Sequence, residues 1–334
     1  MKNTAGSINY NPNGRGVPAV FSGEGMPNML TGRFAPSPSG RMHLGNVFSA
    51  LLAWLSVRSR NGRMLLRIED LDPDRCRPDY IETLKRDLDW LGLDWDEEQT
   101  PQSMRADAYH AEFERLRALG LVYPCYCSRA ELHAASAPHA SDGNVIYAGT
   151  CRSLTEAERT AKIRKPAWRV IVPDTVITVQ DGLQGAYTEN LARDCGDFII
   201  RRSDGVCAYQ LAVVTDDAAG GVTEVVRGRD LLSSVPRQVW LQKTLGFPTP
   251  AYYHVPLLLA PDGRRLSKRE KSLDLGALRE RCTPEQLVGT LAFLAGLQPE
   301  PAPAAPAALV SGFAWKNVRS DNVVIHSEFG CDIS

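Results

Sequence analysis

Hydrophobic positions keep no period until residue 30. The opening stretch, MKNTAGSINYNPNGRGVPAVFSGEGMPNML, is rich in Gly, Asn, Pro and Ser and repeats at neither 3.6 nor 2 residues, so residues 1–30 are expected to form a disordered tail. TGRFAPSPSGRMHLGN is dense in turn-formers and gives way to VFSALLAWLSVRSR, apolar on most sides. That order predicts a strand end, a tight loop and a buried helix starting near Asn46. MLLRIED suits a buried parallel strand ending in charges, and Ile81, Leu84, Leu88 and Leu91 fall at helical spacing before Gly92. HAEFERLRALG repeats the pattern, with Gly120 as its stop. Strand, loop, helix, strand and helix in that order predict a doubly wound parallel sheet, whose ligands sit at the carboxyl ends of the strands.

The period then breaks. CYCSRAELHAASAPHASDGNVIYAGTCR concentrates Cys, His and Gly without a sustained repeat. FIIRRSDGVCAYQLAVV reads as two β-rich runs joined at Asp-Gly, a hairpin signal. GVTEVVRGRDLLSSVPRQVWLQKTLG predicts a strand leading into a helix, and HVPLLLAPDGRRLSKREKS a strand, an Asp-Gly turn and a basic loop. QPEPAPAAPAA reads as a Pro/Ala spacer before a short C-terminal piece.

Composition adds limits. The 334 residues suffice for one large core and a smaller module, and 43% hydrophobic with 23% charged residues is an ordinary globular balance. No apolar run has the length of a membrane span and no signal peptide opens the chain, so a cytoplasmic protein is expected, its eight cysteines reduced or metal-bound. A net charge of -1 argues against nonspecific coating of nucleic acid, although basic residues cluster at Arg58 to Arg67, at Arg201 with Arg202, and at Arg264 to Lys271.

Three segments carry candidate chemistry. The loop from Gly32 to Asn46 holds Arg33, Gly40 and His43-Leu44-Gly45-Asn46 at a helix start, where backbone N–H groups attract phosphate and a histidine can donate to a phosphoryl oxygen. The plain alternative is a capped turn. GRRLSKRE is either a mobile arm for a polyphosphate or a solvated loop. Cys125, Cys127 and Cys151 offer three thiols to a Zn2+ ion that takes four ligands, and His133 or His139 could supply the fourth; the alternative is a group of buried free thiols. Cys76, Cys195, Cys207, Cys282 and Cys331 have no spacing that suggests a site.

Arg33-Phe34-Ala35-Pro36-Ser37-Pro38-Ser39-Gly40, His43-Leu44-Gly45-Asn46, Arg67-Ile68-Glu69-Asp70 and Arg265-Leu266-Ser267-Lys268-Arg269 together resemble, in order, the two signature motifs and intervening strand of glutamyl-tRNA synthetases. The resemblance spans roughly residues 31 to 330 and is strongest to the short glutamyl-Q tRNA(Asp) synthetase branch, because few residues follow Lys268. It implies an α/β fold, a class I synthetase Rossmann-like parallel sheet with an inserted zinc-bearing acceptor-type subdomain, a short helical C-terminal part and no anticodon-binding domain. The expected division is 31–120 and 196–275 for the catalytic halves, the second with the KMSKS-like loop, 121–195 for the insert and 276–334 for the C-terminal part.

It further implies ATP-dependent, Mg2+-assisted activation of L-glutamate and transfer to the queuosine base at the wobble position of tRNA(Asp), by a monomer. Arg33, Phe34, Ala35, Pro36, Ser37, Glu69, Tyr209 and Arg227 would bind glutamate; His43, Gly45, Asn46, Ser267 and Lys268 would bind ATP, with His43 and Lys268 catalytic. The chemistry suits the residue types, since arginines meet carboxylates and a carboxylate meets the ammonium. One structural Zn2+ would be held by Cys125, Cys127, Cys151 and, by resemblance, Tyr147. The chain departs from the pattern at Asn46, where a His or Gly is usual, and at Arg265, where Lys is usual. The rival readings are a truncated enzyme charging tRNA(Glu), another nucleotidyltransferase with the same His-x-Gly site, and a non-catalytic zinc-containing RNA-binding module.

Overall fold

The computed structural model describes residues 29–134, 146–264, 266 and 273–325, with His133 described in its backbone only. Nearly all of the expected tail, His139, Ser267, Lys268, Arg265 and Cys331 lie outside the described residues.

Strands β1 (Thr31–Phe34), β2 (Arg63–Leu66) and β3 (Glu97–Glu98) run parallel in the order β1-β2-β3. Helix α1 (Leu44–Arg58) joins the first two and α2 (Pro78–Trp90) the next pair. The helix starts two residues before the expected Asn46, because His43 takes the cap position. Ten of its residues, Leu44 and Val57 among them, are buried, as its nearly continuous apolar sequence dictates. Gly92 and Gly120 follow α2 and α3 (Ala106–Ala118) with φ +72°, a left-handed conformation that stops a helix cheaply only at glycine.

Next along the chain come β4 (Val122–Cys125), the short helices α4 (Arg129–Ala134) and α5 (Glu156–Thr160), β5 (Ala167–Val170), the hairpin β6 (Val176–Asp181) and β7 (Gly185–Asn190), and then β8 (Phe198–Arg201). Strands β4, β5 and β8 form an antiparallel sheet. Then follow α6 (Tyr209–Ala219), β9 (Glu224–Gly228), α7 (Val235–Leu245), β10 (Ala251–Val255) and β11 (Leu258–Leu259). Strand β10 pairs in parallel with β9 and, at Tyr252 opposite Asp181, with β6. The hairpin therefore extends the sheet of β9 and β10.

Strands β1 and β9 lie side by side. Thr223 N–H donates to Thr31 O at 2.9 Å, and Thr31 N–H to Thr223 Oγ1 at 2.9 Å. The three-stranded sheet β3-β2-β1 and the four-stranded sheet β9-β10-β6-β7 thus meet edge to edge at β1 and β9, and the order of strands reverses there. Ligands of doubly wound sheets bind outside that switch point.

Three expectations need correction. The Asp-Gly turn after β8 forms, with Arg202 N–H on Val206 O at 2.8 Å, but its second arm pairs only once, at Arg201 and Cys207, before α6 begins. The β-branched run there is buried on several sides, and a buried helix and a buried strand look alike in such a run. The Pro/Ala segment is not a free spacer either. Helices α8 (Leu275–Arg279), α9 (Pro284–Ala295) and α10 (Pro306–Leu309) lead to β12 (Val323–Val324), which pairs with β11. Ala304 N–H donates to Glu285 O, and a side chain on Gly289 would collide with Ala302 O, so the segment lies flat on α9. Cys76, Cys125, Cys127, Cys151, Cys195 and Cys207 are free thiols, as expected, whereas Cys282 is disulfide-bonded, and its position in the sequence gave no sign of it. Among the described residues no helix is long and apolar enough to cross a membrane.

Candidate functional site

A cavity of about 520 Å³ opens at the carboxyl ends of β1 and β9. It is lined by Arg33, Phe34, Ala35, Pro36, Ser37, His43, Gly45, Asn46, Glu69, Tyr209 and Arg227, so the structure brings together every described residue expected to bind the amino acid or ATP.

The start of α1 forms one wall. His43 Nδ1 accepts from Gly45 N–H at 3.1 Å, and Asn46 Oδ1 accepts from His43 N–H at 3.2 Å, a reciprocal cap. The plain reading of this motif as a capped turn is therefore correct as far as it goes. It also sets the chemistry, because a ring that accepts at Nδ1 carries its proton on Nε2 and keeps a donor. Gly45 permits the arrangement: a Cβ there would sit 3.1 Å from His43 Cε1. Asn46, the departure from the usual motif, completes the cap.

Behind the opposite wall lies a charge network. Arg67 is fully buried and donates to Asp217 Oδ1 at 2.6 Å and to Glu69 Oε1 at 3.2 Å. Arg33, also buried, donates to Val226 O at 3.2 Å and stands 3.6 Å from Asp217 Oδ1. Burial pushes the Glu69 carboxyl above its ordinary value, with Arg67 and Arg33 pulling the other way. Burial lowers Arg33 against the opposing pull of Asp217.

Arg227 differs from both. Its Nε donates to His254 Nε2 at 3.0 Å, Nη2 to Gln238 Oε1 at 2.8 Å, and Nη1 lies 3.4 Å from the Tyr209 hydroxyl. It is 6% exposed, and among the described residues no carboxylate pairs with it. A buried cation surrounded by neutral acceptors is poised for an anion from outside.

Ser267 and Lys268 lie outside the described residues; the residues on either side of them meet the cavity or its wall. Leu266 lines it and donates its N–H to Leu258 O at 3.1 Å. Asp274 bridges to His43, and Leu275 N–H donates to Met42 O at 2.9 Å.

The cysteine segment also assembles. The sulfurs of Cys125, Cys127 and Cys151 lie within 4.8 Å of one another, with Cys127 and Cys151 3.6 Å apart. The Tyr147 hydroxyl sits 3.5 Å from Cys125 Sγ and 3.8 Å from Cys127 Sγ. A tetrahedral zinc with bonds of about 2.3 Å to sulfur and 2.0 Å to oxygen needs S···S edges of about 3.8 Å and S···O edges of about 3.5 Å, so the donor set fits such an ion. Asp197 braces it from behind, accepting from the Tyr123 hydroxyl at 2.6 Å and from Arg152, while its carbonyl takes Arg169 Nη1. The Arg169 guanidinium lies 3.8 Å above the Tyr147 ring.

Sequence reading missed Asp217, Gln238, His254 and Asp181. Asp217 left one trace, an Asp-Asp pair inside the apolar run LAVVTDDAA of α6, where an acid needs a buried partner. The other three carry no local signal.

Residues 29–303 match the family described as tRNA synthetases class I (E and Q), catalytic domain. Glutamyl-Q tRNA(Asp) synthetase of Nitratidesulfovibrio vulgaris is 51% identical over 83% of this chain and 90% of its own length, and that of Symbiobacterium thermophilum 48% identical over 90% and 97%. In structure, a glutamate tRNA ligase from Elizabethkingia meningosepticum, solved in complex with its amino acid, is similar at a TM-score of 0.74 and 26% identity, over 88% of this chain and 66% of that one. The glutamate-tRNA synthetase of Elizabethkingia anophelis gives a TM-score of 0.76, also at 26% identity, over 90% and 68%. By these matches the chain is an enzyme of the ligase type and belongs to the class I tRNA synthetases, in the glutamyl-Q tRNA(Asp) synthetase family.

Proposed function

We propose that the enzyme activates L-glutamate with ATP and transfers it to the queuosine base at the wobble position of tRNA(Asp). The observation that carries the first step is Arg227, a buried cation without a carboxylate partner among the described residues, sharing one cavity with Arg33, Tyr209, Glu69 and the capped start of α1. Arg227 and Arg33 receive the carboxylates of glutamate and Glu69 its ammonium. The substrate carboxylate attacks the α-phosphorus of ATP, the bond to pyrophosphate breaks, and glutamyl adenylate forms. A hydroxyl of the RNA then attacks the acyl carbon and AMP departs. No covalent intermediate on the enzyme is needed, so catalysis comes from positioning and charge stabilisation. His43 Nε2–H, the N–H groups of the helix start, Gly45 and Asn46 face the phosphates with Mg2+, and Ser267 and Lys268 complete the set from the basic loop.

The relatives' names support the RNA acceptor, together with the coverage of nearly their whole length. Zn2+ bound by Cys125, Cys127, Tyr147 and Cys151 would be structural, since four protein donors leave no open position. The same reading has the enzyme working as a monomer in the cytoplasm. Transfer of labelled glutamate, with ATP, to tRNA(Asp) with and without queuosine and to tRNA(Glu) tests the proposal. Label is expected only on queuosine-bearing tRNA(Asp), and label only on tRNA(Glu) would overturn the choice of acceptor.

A further inference from the structure

Behind Arg227 stands a pair of buried polar side chains, His254 and Asp181, that do not line the cavity. His254 on β10 is wholly buried, its Nε2 3.0 Å from Arg227 Nε and its Nδ1 2.5 Å from Asp181 Oδ2 at the end of β6. An arginine Nε can only donate, so His254 Nε2 must accept and the ring proton must sit on Nδ1, pointing at Asp181. Asp181 is itself fixed: its Oδ1 accepts from Leu183 N–H at 3.0 Å and Gln184 N–H at 2.8 Å, and His254 N–H reaches it at 3.2 Å.

We propose that Asp181 and His254 are positioning residues that aim Arg227 at the substrate carboxylate while leaving its charge unspent. A carboxylate placed directly on Arg227 would hold it as firmly, but would neutralise it, as Asp217 and Glu69 do for Arg67. The imidazole between Asp181 and Arg227 transmits the orientation and withholds the negative charge. Gln238 does the same on the other side, accepting from Nη2 while its own amide donates to Gln210 Oε1 at 2.8 Å. Burial holds the pKa of the His254 ring at about 4, well below the ordinary imidazole value, in keeping with a neutral acceptor.

The inference rests on glutamate as the substrate, and two measurements separate the two claims. In the first, glutamate-dependent pyrophosphate exchange is followed for Asp181→Asn, His254→Leu and His254→Gln, with melting temperature as a check on folding. The amide introduced by Asp181→Asn can donate to Nδ1 and drive the ring proton to Nε2, where it faces the Arg227 N–H. Asp181→Asn and His254→Leu should each raise the glutamate KM by about tenfold or more at an unchanged ATP KM, the size expected for a lost hydrogen bond to a charged group. His254→Gln, which retains an acceptor, should recover most of the loss. A folded Asp181→Asn enzyme with the original glutamate KM, a parallel rise in both KM values, or a Gln variant no better than Leu would overturn the proposal.

In the second, 15N spectra of histidine-labelled wild-type protein, assigned through His254→Gln, should show Nδ1 protonated and Nε2 bare. A proton on Nε2 overturns the relay. This reading needs no substrate, so a wild-type enzyme that failed to exchange with glutamate would remove the substrate assignment and leave the relay to be judged on its tautomer.

Discussion

At the scale of single residues, the site sets two kinds of buried arginine side by side. Arg67 meets Asp217 and Glu69, whereas Arg227 meets neutral acceptors and an open cavity. Their substitution should therefore act in opposite senses. Arg67→Leu strands two acids in the interior and should cost about 3–5 kcal/mol of stability, read from urea unfolding. Arg227→Leu removes a charge whose desolvation no carboxylate among the described residues offsets. It should leave the unfolding midpoint unchanged or higher while raising the glutamate KM by about tenfold or more. A strongly destabilised Arg227→Leu variant would show that Arg227 is framework.

At the scale of elements, the first turn of α1 joins a structural duty to a chemical one. His43→Ala should lose about 1 kcal/mol of cap energy and about 10²-fold in pyrophosphate exchange. His43→Asn keeps a good cap but no imidazole, so it should restore the melting temperature and not the rate. If both recovered together, the histidine would serve only as a cap. The proposed zinc site can be judged apart from catalysis: the purified chain should contain one zinc by elemental analysis, and Cys127→Ser should lose it along with thermal stability. These elements were legible in the sequence because their residues are contiguous, so that spacing alone puts His43, Gly45 and Asn46 on one turn. Tyr147 became visible only through resemblance. Gln238 and His254 were illegible because each acts on a partner from another element, and His254 sits in a strand sequence, AYYHV, where one polar residue looks incidental. The second arm after the Asp-Gly turn was misread for the complementary reason, since an apolar run states that it is buried and not how it is coiled.

At the scale of the molecule, the C-terminal part belongs to the catalytic core. Val318 and Ile325 are buried in the same cluster as α1, and Trp315 stacks on Tyr253 at 4.3 Å and donates to Ser56 Oγ at 2.9 Å. Truncation after residue 305 should therefore lower the melting temperature or the soluble yield, whereas an independent appendage could be removed without effect on either. The seam between β1 and β9 has a consequence for how the enzyme comes into being. Its two sides, Thr31 and Thr223, are 192 residues apart in the chain, and the walls that hold Arg33 and Arg227 are similarly distant. A contact of such long range is slow to close and is made only after both strands exist. At about 5–20 residues per second of synthesis, the ribosome needs roughly 10–40 s to deliver the second strand after the first. During that interval β1, α1 and β2 can collapse around their own apolar residues while the wall that holds Arg227 does not yet exist. The two walls of the cavity thus come together only when the seam closes, so the site is assembled late, after most of the chain has been made.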